Sequence, residues 1–123
     1  MVRIKVRNLE LLQKNIIDMV AFALENGYVQ FDNGDDPQQL VDNFTNGCSG
    51  TLNRSELEDL LETVQQFVRL PVYTSEHAAA WLGVGIDTMR DAIWRSNKIK
   101  TIKPGHDVLT THAELVKFRD SRG

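Results

Sequence analysis

Residues 72–122 read VYTSEHAAAWLGVGIDTMRDAIWRSNKIKTIKPGHDVLTTHAELVKFRDSR, and the order of signals in this stretch decides the fold. Thr74 is a helix N-cap candidate, with Ser75 beside it, Glu76 in the first turn and a compact run from His77 to Leu82 behind them. Gly83, Val84 and Gly85 interrupt that run, and a second helical pattern follows from about Asp87 to Arg95. Met89 and Ile93 lie four residues apart on one face of it, with Ile86 three residues before Met89. Two short helices joined by a glycine-containing turn make a helix-turn-helix unit. Ile99 to Ile102, the turn Lys103-Pro104-Gly105-His106-Asp107 and Val108 to Thr110 then predict a two-stranded wing with Pro and Gly at its tip. A last helix, about His112 to Arg119, returns Leu115 and Phe118 toward a core.

Upstream, Val2, Ile4 and Val6 alternate with Arg3, Lys5 and Arg7, the pattern of a strand with one buried face. Its basic face suits either phosphate contact or the guarding of an exposed sheet edge. A helix from about Asn8 to Asn26 carries Leu9, Leu12, Ile16, Met19, Val20 and Ala23 on one stripe, with Gly27 placed to end it. Tyr28 to Phe31 is short and β-prone, a pairing partner for the first strand. Asp36 and Pro37 read as N-cap and first residue of a short helix to about Phe44, and 46–50 as a loop. Asn53 with Glu56, or Ser55 with Glu58, forms a capping box for the next helix. Leu57, Leu60, Leu61, Val64, Phe67 and Val68 line its apolar stripe, which is too short for a coiled-coil seam and reads as core. Pro71 marks a boundary between residues 1–70 and 71–123.

Charge divides at the same place. Residues 1–70 hold six Lys/Arg against eleven Asp/Glu, while residues 71–123 hold eight against six, within a net charge of -3 over 123 residues. An acidic half beside a mildly basic one separates a partner-binding or oligomerisation region from a nucleic-acid module. Cys48 is the one cysteine, so an internal disulfide is excluded and a reducing compartment is expected. No segment approaches the roughly 18 apolar residues of a membrane span, and no apolar signal-peptide core is present, so a cytoplasmic protein is expected.

Catalytic and metal-binding patterns are missing from the sequence. His77, His106 and His112 are spread over the first helix of the module, the wing tip and the start of the last helix, without HExxH or paired Cys/His spacing. Asp32-Asn33-Gly34-Asp35-Asp36 lacks the ligand spacing and distal Glu of a calcium loop, and reads as a turn. Gly83-Val84-Gly85 has no third glycine and no following Lys-Ser/Thr, so it is a turn and not a phosphate cradle. The expectation is a protein that is not an enzyme, with no cofactor and no metal.

The module resembles the winged helix-turn-helix of phage excisionases and the related MerR-type regulators. The resemblance is carried by Thr74, Ala78-Ala79, Leu82-Gly83-Val84, Thr88-Met89 and Ile93, then the basic hairpin and Ala113-Glu114-Leu115 to Phe118. Gly85 stands where that family usually has a Ser capping the recognition helix, and Asp87 and Asp91 are acidic additions to that helix. The resemblance implies a mainly α fold with a small β component: an acidic helical N-terminal region followed by a winged helix-turn-helix module. It implies double-stranded DNA as partner, with the second helix in the major groove and the wing on the minor groove or backbone. Asp87, Thr88, Arg90, Asp91 and Trp94 would then form the exposed face of the recognition helix, Arg90 being the candidate for a bidentate guanine contact. Trp94 is equally suited to partial burial. Thr74 and Ser75 would present backbone N–H groups to a phosphate. Arg95, Lys98, Lys100 and Lys103 would hold further phosphates, with His106 at the wing tip. The expected role is regulator or excision factor of a bacterial phage or mobile element. The alternatives are a small subunit of a packaging, replication or transfer complex, and a protein-interaction module that has lost DNA binding. Dimerisation, or a protein partner bound through residues 1–70, is expected to supplement a module of this size.

Overall fold

A computed structural model describes residues 4, 6–30, 42, 44–46, 50–94 and 110–122, with side chains as far as residue 91 in the fourth named helix. The described part is mostly helical: α1 (Leu9–Asn26), α2 (Arg54–Phe67), α3 (Ser75–Leu82), α4 (Ile86–Trp94) and α5 (His112–Arg122). The expected hairpin residues 99–109, the acidic turn 32–36 and Cys48 lie outside the described residues. Residues 42 and 44–46 are helical, at the end of the short helix expected to about Phe44, whose earlier residues lie outside the described set.

The starts of α1, α2 and α3 and the end of α1 have chemical causes. Asn8 caps α1, its side chain accepting from the Leu11 N–H at 3.0 Å. The helix ends at Gly27, whose φ of 74° lets the Tyr28 N–H turn back onto the Ala23 carbonyl at 2.8 Å. At α2 the capping box is the Asn53–Glu56 pair, in which each side chain accepts from the other's backbone N–H, at 2.9 and 3.1 Å. Thr74 caps α3 by accepting from the His77 N–H at 3.1 Å.

Packing then unites both halves of the chain. Leu12, Ile16, Met19, Val20 and Ala23 of α1, Leu57, Leu61, Val64 and Phe67 of α2, and Ala78 to Leu82 of α3 share one hydrophobic core with Met89 of α4 and Leu115 and Phe118 of α5. The stripe of α2 is therefore core, as its length implied. The core runs across Pro71: α3 lies against both α1 and α2, as well as against α4 and α5.

One pairing expectation needs correction. Tyr28 to Phe31 was expected to meet the first strand, but Val29 pairs antiparallel with Val68. The Gln30 N–H donates to the Phe67 carbonyl at 2.8 Å and the Arg69 N–H to the Tyr28 carbonyl at 3.0 Å. The exit of α2 brings a second short extended segment alongside, and it captures the ladder bonds. Of the expected first strand, Val2, Arg3 and Lys5 lie outside the described residues, and Ile4 and Val6 are in no bridge. Their carbonyls accept instead from the two ends of the Arg54 guanidinium, at 2.6 and 2.8 Å, while the Ile4 N–H reaches Glu58 Oε1 at 3.5 Å. The alternation itself is kept, with Ile4 buried, Val6 half-buried and Arg7 exposed.

Candidate nucleic-acid interface

Gly83 sets the angle between α3 and α4. Its φ is 73°, and the Gly83 and Val84 N–H groups both return to the Ala79 carbonyl, at 2.9 and 3.0 Å. A Cβ at this position would fall on Leu61 Cδ2 and lie 3.5 Å from Ile4 Cγ1. Left-handed backbone and close approach both require glycine here. Gly85 is a different case. It occupies the N-cap position of α4, its carbonyl accepting from the Met89 N–H at 3.1 Å, and an added Cβ would meet Val6 Cγ1 at an ordinary 3.8 Å.

The helical period sorts the residues of α4 as the spacing predicts. Met89 is fully buried and Ile86 half-buried, while Asp87, Thr88, Arg90 and Asp91 are exposed. Four of the expected interface residues thus stand together on one outward surface. Trp94 ends α4, and its side chain lies outside the described set. Arg95, Lys98, Lys100, Lys103 and His106 are also outside it, so their clustering is an expectation of the sequence. At the start of α3, Thr74 and Ser75 are both half-buried, and the Thr74 hydroxyl is engaged with its own helix. What these two residues offer a phosphate is backbone N–H groups and the helix dipole.

Around Tyr73 lies a polar-aromatic cluster that the spacing of the sequence did not announce. The Tyr73 N–H and carbonyl pair with Thr110, at 2.8 and 3.0 Å, where the base of the expected hairpin would be. The Tyr73 hydroxyl accepts from the Leu70 N–H at 3.1 Å and shares a hydrogen bond with His112 Nδ1 at 2.8 Å. Burial pushes this phenol up to about 12. Burial also holds the His112 imidazole below the ordinary histidine range, helped by the positive charges of Arg69 and Arg119. A neutral ring with an unprotonated Nδ1 is the form that accepts from Tyr73.

Trp81 is fully buried between these groups, edge-on to His112 at 5.1 Å and to Tyr73 at 6.2 Å, with the Arg119 guanidinium 5.3 Å from its ring centre. Its Nε1–H donates to the Val68 carbonyl at 3.3 Å. Gln65 completes the cluster, donating to the Trp81 carbonyl at 2.6 Å and accepting from Arg119 at 3.4 Å. The signal that could have found Gln65 is its place beside Val64 on an otherwise apolar stripe, where a polar side chain must find partners. Gln13 is the same case on α1, tied to Gly50 and Leu52 at 2.7 and 3.1 Å.

Elsewhere, His77 packs its ring 5.0 Å from Phe22, and partial burial lowers its pKa against the opposing effect of Glu76. A groove of about 380 Å³ lies along α1 beside Gly50 and Thr51, lined by no residue of α3 or α4. Among the described residues, no three of His, Cys, Asp and Glu gather as a metal site, and no helix is long and apolar enough to cross a membrane. No protein-family model, curated protein or solved structure matches the chain.

Proposed function

We propose that this chain binds double-stranded DNA as a winged helix-turn-helix protein, serving a bacterial phage or mobile element as transcriptional regulator or excisionase-like architectural factor. One observation carries the reading: a helix seated in the core, a glycine-set turn, and a second helix that buries Met89 and exposes Asp87, Thr88, Arg90 and Asp91. On this reading α4 enters the major groove, where Arg90 offers a donor fork to guanine O6 and N7. Asp87, one turn earlier, orients that guanidinium or accepts from a cytosine amino group. The α3 N-terminus at Thr74 and Ser75 meets the backbone. Arg95, Lys98, Lys100, Lys103 and His106 supply the expected basic hairpin. The Tyr73–Thr110 pairing supports a hairpin anchored to the core at that point.

Residues 1–70 commit their apolar stripes to the shared core. A second copy or a protein partner would therefore meet their polar faces, or the exposed Leu11 and Phe22 of α1. The competing reading, a protein-interaction module, is favoured by one observation, the exposure of two aspartates around Arg90. Duplex binding across a salt series decides between them. A steep fall of affinity with salt is expected of the DNA-binding protein. Binding that is absent even at low salt would sink that reading in favour of the interaction module.

A further inference from the structure

We infer, resting on the DNA-binding reading above, that Arg7 belongs to the same DNA-contacting surface as α4 and holds a backbone phosphate beside the start of that helix. The N-terminal segment runs along the helix-turn-helix turn. Ile4 Cγ1 would lie 3.5 Å from a Cβ on Gly83, and Val6 Cγ1 3.8 Å from a Cβ on Gly85, the residue before α4. Arg54 fixes this course by donating to both the Ile4 and Val6 carbonyls, and Glu58 accepts from the Ile4 N–H. With Ile4 and Val6 turned inward, the alternation turns Arg7 outward, and it is exposed. Consecutive Cα atoms are about 3.8 Å apart, so Arg7 stands one residue from the contact with Gly85.

Electrostatics gives the position its meaning. The described outward face of α4 holds Asp87 and Asp91 against Arg90, an acidic balance that phosphate would oppose. A cation delivered from another segment to the same end of the helix offsets it. Guarding a sheet edge is the other use of such alternation, and among the described residues neither Ile4 nor Val6 is in a bridge. The acidic group nearest in sequence is Glu10, in the first turn of α1, while Glu58 accepts from the Ile4 N–H on the same segment. An Arg7–Glu10 helix-surface pair is therefore the rival role.

The test uses the full chain and a labelled mixed-sequence duplex, with binding followed by anisotropy across a salt series. Arg7→Gln should lower the log–log salt slope by about one, Arg7→Lys should keep it, and Lys117→Gln, on the exposed face of α5, should leave it unchanged. A wild-type slope in Arg7→Gln overturns the inference while the DNA-binding reading stands. An equal drop in Lys117→Gln overturns it too, since the effect would then be one of net charge. A wild-type chain that fails to bind the duplex at low salt overturns the DNA-binding reading, and the role of Arg7 with it.

Discussion

Arg90 combines exposure on α4 with a donor fork, and the buried Met89 beside it fixes the rotation of the helix that carries it. Arg90→Ala is expected to cost about 1–3 kcal/mol on a specific site and to relax preference at one base pair, with a smaller effect on scrambled DNA. Equal losses on both duplexes would make Arg90 a backbone contact instead. Tyr73 and His112 act at the same scale on stability. Tyr73→Phe leaves the buried Leu70 N–H without its acceptor and His112 Nδ1 without its hydrogen-bond partner. Roughly 1–3 kcal/mol should be lost, read from denaturant unfolding.

The lowered pKa of His112 adds a pH dependence. Below the ordinary value of 6.5 the unfolded chain takes up a proton that the native ring refuses, so stability falls on acidification and is fully present above it. His77 shifts in the same direction and contributes to the same fall. Unfolding midpoints measured from neutral pH downward should therefore decline, and less so in His112→Gln. An identical pH profile in that variant would remove His112 as a source. Tyr73 works at the other end, where stability should be lost as pH rises from 10 toward about 12.

At the scale of the element, the two glycines of the turn make opposite predictions. Gly83→Ala pays the left-handed penalty of roughly 1–2 kcal/mol and drives a methyl into Leu61. Gly85→Ser meets no obstacle and supplies a cap for α4, so it should change stability by no more than a few tenths of a kcal/mol, in the favourable direction. Thermal or denaturant unfolding of both variants checks the pair, and equal destabilisation would mean the turn is set by something other than Gly83. The helices were legible in sequence because caps and apolar stripes are local signals: Asn8, Asn53 and Thr74 start helices, and Gly27 and Gly83 end them. The short extended segments were not. A run of two or three β-prone residues such as Tyr28 to Gln30 carries too little alternation to choose a partner, and chain geometry delivered Val68. Arg54 was hidden for another reason. It reads as an ordinary solvated first-turn residue, and its clamp on Ile4 and Val6 spans about fifty positions.

Over the whole molecule, the charge boundary at Pro71 and the packing do not coincide. Sequence composition sees charge, which sits on surfaces, whereas the core is set by the apolar faces, and those of α1, α2 and α3 face one another. The outward face of α4 was legible because its period is local. The cluster of Gln65, Tyr73, Trp81, His112 and Arg119 was not, because it assembles side chains from three separate segments. This arrangement predicts that the helix-turn-helix cannot stand alone. Without residues 1–70, α3 would expose Ala78, Ala79 and Leu82 to water, and Gly83 would lose Leu61 and Ile4. Trp81 would lose both the Val68 acceptor and Gln65. A fragment of residues 71–123 should therefore lack the helical circular dichroism and the protected Trp81 fluorescence of the full chain. In the full chain, Leu61→Ala should cost roughly 2–5 kcal/mol. It should shift the unfolding of α1 and of α3 together, since Leu61 belongs to the core both helices share. Backbone amide exchange resolves the two helices. Faster exchange in α3 alone, or a fragment that folds unaided, would mean that residues 71–123 form an independent domain and that the shared core is an interface between two.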